Sequence, residues 1–284
     1  MSIPDNFLRE APNASLRILD FQTTTPPIPA YKDHFAAVID NFMTPDECTQ
    51  LLHLANTQNP TNWARAKVNA GNGKEVMEVD TRNCGRIIWD SPDLADRILH
   101  RLRPFIEQCG IQQIQNQPLV TGRGPAKRGE VVQVSRLNER FRFLRYEGGE
   151  YFRPHWDGSY VTPDGERSLY TIHLYLNGSG EQDIEELEKE IEKAERKNGL
   201  FAEDGEIDLE EVGQDEESDE VYEDGELLGG ATSFTDGYDA TDAVRVFPKT
   251  GSVLIFQQRN LFHGGDDVFR GVKYTVRTDV LYRE

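Results

Sequence analysis

Cysteine is scarce in this sequence. The 284 residues include three, Cys48, Cys84 and Cys109, and no Cys-x-x-Cys pair, which argues against a disulfide framework and against a structural zinc site. A reducing compartment is the default expectation for such usage. Long apolar runs are missing as well; nothing approaches the ~20 residues that a membrane-spanning helix needs. The opening stretch, MSIPDNFLREAPNASLRILDF, has no basic region followed by an apolar one, so no secretory signal is expected. These absences point to a cytoplasmic or nuclear protein with no membrane role. Basic charge is also short, with 31 Lys and Arg against 50 Asp and Glu and a formal net charge of -19. Nothing here offers a broad cationic surface to a phosphate backbone, so nucleic acid is disfavoured as an electrostatic partner.

The acidity is local. Residues 181–228 hold 22 of the acidic side chains and only 4 of the basic ones, so this segment carries nearly the whole net charge. The remainder is close to neutral. Hydrophobic residues make up 37% of the chain and aromatic residues 10%, enough for a sizeable core. We read residues 1–33, polar and interrupted by Pro26, Pro27 and Pro29, as an extended N-terminal arm. Residues 34–284 form one domain, interrupted by the acidic insert at 181–228. Within the insert, Ile184, Leu187, Ile191 and Ala194 recur at helical spacing as far as Asn198-Gly199. Beyond them, 203–226 is mostly Asp, Glu, Gly and Ser, and disorder is expected.

HFAAVIDNF (34–42) reads as a strand. Thr44-Pro45-Asp46-Glu47 then starts a helix, with Thr44 as cap, Pro45 at the first helical position and Glu47 completing a capping box. Cys48, Leu51, Leu52 and Ala55 supply its buried face. Ser91-Pro92-Asp93 opens a second helix, lined by Leu94, Ile98, Leu102 and Phe105 and stopped at Gly110. From 131 onward the pattern changes to short β-rich runs: VVQVS (131–135), RFRFLRY (140–146), SLYTIHLYLN (168–177), SVLIF (252–256) and KYTVRTDVLY (273–282). Helices followed by many strands imply an α+β fold, with the helices buttressing one sheet of a sandwich or barrel.

His155-Trp156-Asp157 carries the chemistry. Residues two apart in a strand point to one side, so the His155 imidazole and the Asp157 carboxylate can grip one metal ion. His263 is the candidate third ligand. Discounting the insert, it lies a few strands downstream. Two His and one carboxylate on one face make the facial triad of non-haem Fe(II) oxygenases, which keeps metal positions open.

The flanking segments closely resemble the prolyl 4-hydroxylase-like family of Fe(II)/2-oxoglutarate dioxygenases. They are RYEGGEYFRPHWD (145–157), GGATSF (229–234), VFPKTGSVLIF (246–256) and VFRGVKY (268–274), with His263 between the last two. The family pattern is matched by Tyr146, Gly149, Phe152, His155 and Asp157, by Tyr175-Leu176-Asn177, and by Val268, Gly271, Lys273 and Tyr274 after the distal His. The resemblance runs from about 34 to the C-terminus apart from the insert. It implies a double-stranded β-helix, or jelly roll, with the N-terminal helices on the major sheet. It also implies Fe(II) on His155, Asp157 and His263, with 2-oxoglutarate as co-substrate, O₂ as oxidant and ascorbate as reductant. Lys273 is the implied cation for the distal carboxylate of 2-oxoglutarate. Arg277 stays open as its rival, because 273, 275 and 277 share a strand face. Tyr146, Thr171 and Tyr175 are the implied hydroxyl partners of that carboxylate.

The implied activity is hydroxylation of a protein residue or a small metabolite, with succinate and CO₂ as co-products. A different class of reading is a sensor or interaction protein that holds iron and 2-oxoglutarate without turnover. A third is a cupin-type metalloenzyme that uses no 2-oxoglutarate. The acidic insert is read either as a solvated insertion or as a surface for a basic partner. His34, His53 and His100 read as structural or surface residues, His173 as a core histidine, Trp156 as a packing residue, and the three cysteines as small core residues. Arg142 reads as a solvated strand residue, and Arg145 as either that or a brace to the site. Gly148-Gly149 and Gly229-Gly230 read as relief for tight turns.

Overall fold

The computed structural model describes residues 3–9, 13–58, 63–69, 75–202, 226–238, 240 and 242–284. The elements that build the site are, in chain order, β1 (Ser15–Ile18), β2 (Ala36–Asp40), α1 (Pro45–Gln58), β3 (Arg82–Asn83), β4 (Gly85–Asp90), α2 (Pro92–Gln108), β5 (Val131–Leu137), β6 (Arg140–Glu147), β7 (Tyr151–His155), β8 (Arg167–Tyr175), α3 (Ile184–Ala202), β9 (Leu228–Gly229), β10 (Thr232–Phe234), β11 (Val244–Val246), β12 (Val253–Gln257), β13 (His263–Gly265), β14 (Val268–Arg270) and β15 (Val272–Arg283). The fold is α+β, a double-stranded β-helix with mostly antiparallel sheets and few helices.

The major sheet runs β1-β2-β12-β8-β15-β6-β4, extended by shorter strands at its margins. The minor sheet runs β11-β10-β13-β7-β3. Alternation along the strands separates two environments. On one face of the major sheet, Phe141, Phe143, Ile172, Leu174, Val276 and Val280 pack against Leu51, Leu94, Ile98 and Leu102 of α1 and α2. Each such side chain contributes roughly 1.5–3 kcal/mol on full burial. The other face looks across at the minor sheet.

Local chemistry sets the helix starts. The Thr44 N–H donates to the Glu47 carboxylate at 2.9 Å, and the Glu47 N–H donates to Thr44 Oγ1 at 3.1 Å. That is the reciprocal capping box expected from the sequence. Arg101 of α2 grips the same Glu47 with two bonds of 2.8 and 2.9 Å and also donates to Phe42 O, tying the two helices together. The Leu94 N–H donates to Ser91 Oγ at 3.3 Å, capping α2. The Cys48 thiol is pushed up to about 12 by burial, as suits a small core side chain.

The segment read as an extended arm is woven into the body. Ser15–Ile18 pairs with β2, while Leu19, Phe21, Ile28 and Tyr31 join a second apolar cluster with Phe234 and Phe256. A four-residue edge strand is too short to show alternation in sequence.

Helix α3 forms the first part of the acidic insert, as its spacing predicted, and Leu187 is buried. It is tied down by Arg270, which donates to Glu186 at 2.6 and 3.3 Å. The expectation of disorder for 203–226 falls outside the described residues, Glu226 excepted. Among the described residues no helix is long and apolar enough to cross a membrane.

Candidate metal centre

Register places the triad. His155 on β7 lies directly opposite His263 on β13, and directly opposed residues share a face. Their ring centroids are 4.6 Å apart. Asp157 follows two residues after His155. Its Oδ1 lies 3.6 Å from His155 Nε2, and its Oδ2 lies 3.7 Å from His263 Nε2. All three potential ligand atoms fall within 4.8 Å of one another.

The outer ring nitrogens of both histidines are occupied. His155 Nδ1 lies 3.0 Å from Arg153 O, and His263 Nδ1 lies 3.1 Å from Leu261 O. Each carbonyl holds the proton on Nδ1 and turns the Nε2 lone pair toward Asp157. His155 Nε2 is buried and has no hydrogen-bond partner among the described residues. A buried acceptor without a donor costs free energy unless a metal ion or water fills the gap. The carboxylate is similarly prepared. Asp157 Oδ2 accepts from Thr171 Oγ1 at 2.6 Å and Oδ1 accepts from Arg277 at 2.8 Å, leaving one lone pair on each oxygen. Burial would raise the Asp157 pKa, but Arg277 and the two imidazoles outweigh it and hold the carboxyl well below its usual range. Burial lowers the His263 pKa to about 4, against the pull of Asp157. The site therefore offers a neutral imidazole and an ionised carboxylate at neutral pH, the ligand states that a divalent ion requires.

A cavity of about 390 Å³, counted to its open mouth, adjoins the triad. Three strands of the major sheet form its floor. Across β6, β15 and β8 run two rows of neighbours, Arg142–Arg277–His173 and Leu144–Thr275–Tyr175, and Tyr146 faces Lys273 beside them. Lys273 is buried, with Nζ 4.9 Å from the Tyr146 ring centroid and 6.0 Å from that of Tyr175. Burial lowers its pKa to about 8, with Asp266 pulling the other way. Tyr175 Oη donates to Thr232 Oγ1 at 2.7 Å, leaving the Thr232 proton free to point into the cavity.

The sequence-derived candidates separate into groups. His155, Asp157 and His263 come together. Lys273 and Tyr146 line the cavity, and Tyr175 reaches it through Thr232. Arg277 also lines it, but its guanidinium rests on Asp157. The Thr171 hydroxyl proton is likewise committed to Asp157, and Thr171 is not part of the cavity lining. His173 reaches the cavity with its ring edge-on to Phe256; burial and Arg277 hold it well below its usual pKa, hence neutral. Trp156 is exposed and packs against Phe262, with ring centroids 4.5 Å apart.

Two residues of this site escaped the sequence reading. Thr232 sits inside the GGATSF run, whose matched pattern flags it without saying what it does. Arg82 lies in a two-residue strand too short to carry a periodic signal.

In structure, the chain is similar to the viral collagen prolyl hydroxylase of Paramecium bursaria Chlorella virus-1 in its 2OG complex. Identity is 17%, covering 87% of this chain and 95% of that one, with a TM-score of 0.45. A Pseudomonas putida prolyl-4-hydroxylase matches at 15% identity, covering 89% and 95%, with a TM-score of 0.47. A Trichoplax adhaerens prolyl hydroxylase, in complex with a hypoxia inducible factor oxygen degradation domain peptide fragment, matches at 12% identity, covering 86% and 82%, with a TM-score of 0.48. The likeness is one of fold. No family model matches the sequence, and no curated protein matches it.

Proposed function

We propose that this chain is an Fe(II)- and 2-oxoglutarate-dependent dioxygenase that hydroxylates a protein residue or a small metabolite. One observation carries the reading: the Nε2 of His155, unpartnered among the described residues, lies beside Asp157 and His263 at a cavity lined by Lys273, a buried cation in no ion pair among the described residues. The donor set of two imidazoles and one carboxylate suits Fe(II) and spares coordination positions for a chelating co-substrate and O₂. Bound there, the metal supplies oxidative decarboxylation of 2-oxoglutarate: one atom of O₂ enters succinate, and the other becomes the substrate hydroxyl.

The protein's own contribution is orientation and exclusion of water. Carbonyls of Arg153 and Leu261 fix the imidazoles; Arg277 and Thr171 fix the carboxylate. Lys273, Tyr146 and the Tyr175–Thr232 pair offer charge and hydroxyl donors to the distal carboxylate of the co-substrate. Ascorbate is the reductant expected to restore iron oxidised off cycle.

The test is succinate formation from 2-oxoglutarate with Fe(II), ascorbate and O₂, with His155→Ala alongside. A signal lost in the variant supports the dioxygenase. If anaerobic binding of Fe(II) and 2-oxoglutarate persists while no succinate forms with any substrate mixture, the chain is a non-catalytic binding protein instead.

A further inference from the structure

Arg82 is the cation for which neither the fold nor the reaction above finds a use. It sits on β3 at the edge of the minor sheet, opposite Phe152 of β7, and is only 6% exposed. Arg82 lines the cavity beside the triad. Nε and Nη2 are buried without a hydrogen-bond partner, and no carboxylate pairs with them among the described residues. The guanidinium lies over the Phe152 ring, with Cζ 4.4 Å from the centroid. Phe152 in turn stacks on the His155 imidazole, with centroids 3.8 Å apart and planes at 22°. A buried guanidinium with two free donors therefore stands one aromatic ring from a metal ligand.

Such a group is costly. Burying an unpaired charge is among the most unfavourable things a fold can do, and an unpaired arginine persists where a ligand completes it. The charge count identifies that ligand. Arg82, Lys273 and Arg277 line the cavity, and among the described residues no Asp or Glu does. Arg277 is paired with Asp157 at 2.8 Å. A co-substrate with two carboxylates gives one to the metal and one to Lys273. Arg82 is left over. Its free nitrogens are also the adjacent Nε and Nη2, the side-on pair whose parallel N–H bonds match the two oxygens of one carboxylate.

We propose that Arg82 recognises a carboxylate on the prime substrate, making it the specificity residue of an enzyme for acidic substrates. This rests on the dioxygenase reading given above. The shared chemistry has two sources, a free carboxylic acid metabolite and an Asp or Glu side chain of a peptide.

The experiment uses the full chain loaded with Zn(II) and saturating 2-oxoglutarate, so that Lys273 is occupied and no turnover occurs. Acetate is the probe and acetamide its uncharged counterpart; binding is read from arginine Nε–Hε resonances. Acetate should shift saturably the resonance that Arg82→Gln lacks, and bind at least tenfold tighter than acetamide. That preference should vanish in Arg82→Gln, with 2-oxoglutarate affinity held within twofold. Equal binding of the two probes, or a preference that survives Arg82→Gln, overturns the proposal. So does a tenfold loss of 2-oxoglutarate affinity in the variant, which would assign Arg82 to the co-substrate. Capped aspartate and free alanine then compete against acetate; tighter binding of the first names a peptide source, and of the second a free acid.

A second readout needs no ligand. Arg82→Met removes an unpaired buried charge, so the unliganded protein should melt a few degrees higher. A lower melting temperature makes Arg82 a structural stack on Phe152 and overturns the proposal. If the wild-type chain takes up no 2-oxoglutarate at all, the dioxygenase reading itself falls, and this inference with it.

Discussion

Arg277 lies 2.8 Å from Asp157 Oδ1, so the cation that rivalled Lys273 in the sequence is engaged with the carboxylate of the His155–Asp157–His263 cluster. The two cations should therefore fail differently. Arg277→Met leaves Asp157 buried without its counter-charge and should weaken metal affinity by roughly 10–100-fold, with 2-oxoglutarate affinity at saturating metal little changed. Lys273→Ala should do the reverse, raising the 2-oxoglutarate Kd by about 100-fold or more while metal binding holds. Anaerobic titrations of metal and then of co-substrate separate the two effects. A large co-substrate defect in Arg277→Met alone would exchange their roles.

Lys273 also predicts a pH dependence. Burial lowers its pKa to about 8, from 10.5 in the unfolded chain. Between these values the unfolded state holds more protons than the folded one, so the unliganded protein should gain stability as pH rises through about 8 to 10.5. The burial cost is fully present below pH 8. Co-substrate binding has the opposite sign, because a carboxylate beside Lys273 favours the protonated amine. Affinity for 2-oxoglutarate should be flat up to about pH 8 and then fall by up to about tenfold per unit. Anaerobic titration at pH 7 and pH 9 measures it. Lys273→Arg, which keeps its charge, should flatten the profile.

The glycine pair before β10 shapes the seat of that lysine. Gly230 has φ +69°, and a Cβ there would meet Val268 Cγ2 at 3.0 Å and Lys273 Cδ at 3.1 Å. Gly230→Ala therefore combines left-handed backbone strain of about 1 kcal/mol with pressure on the Lys273 stem. The expected result is a modest loss of stability and a disproportionate loss of 2-oxoglutarate affinity, roughly tenfold, measured by thermal unfolding and anaerobic titration. A stability loss with unchanged affinity would show that the stem yields without moving its ammonium.

How much of this was legible in sequence follows from how far each signal travels along the chain. The capping residues Thr44, Glu47 and Ser91 act within three positions, so both helix starts could be read directly. Strands such as β8 and β15 are long enough to show their pattern, and the two-residue period put 273, 275 and 277 on one face. That period cannot say which partner each side chain meets. Thr171 and Arg277 point toward the site, yet their partner is Asp157, a tertiary contact with the segment after β7 that local spacing does not encode. Arg82 was invisible for a related reason: two residues of strand carry no periodicity, and its significance lies in bonds it does not make.

One residue of the acidic insert holds the turn before the cavity wall. The Gln182 side chain clasps Gly229, accepting from the Gly229 N–H at 2.7 Å and donating to its carbonyl at 2.9 Å, just as a neighbouring strand would. Gly229 has φ +83°, and a Cβ there would lie 2.2 Å from Asp267 O, so this turn has no room to adapt. Gln182→Ala removes both bonds and leaves two backbone groups of a buried glycine unmatched, a cost of about 1–3 kcal/mol. The loss should spread along the chain to Gly230, Thr232 and the cavity wall, appearing as faster amide exchange across 228–234 and weaker 2-oxoglutarate binding. Metal affinity should hold, because His155, Asp157 and His263 lie on other segments. If exchange is unchanged across 228–234, the insert is held to the body by its other contacts, Leu187, Leu227 and the Glu186–Arg270 pair.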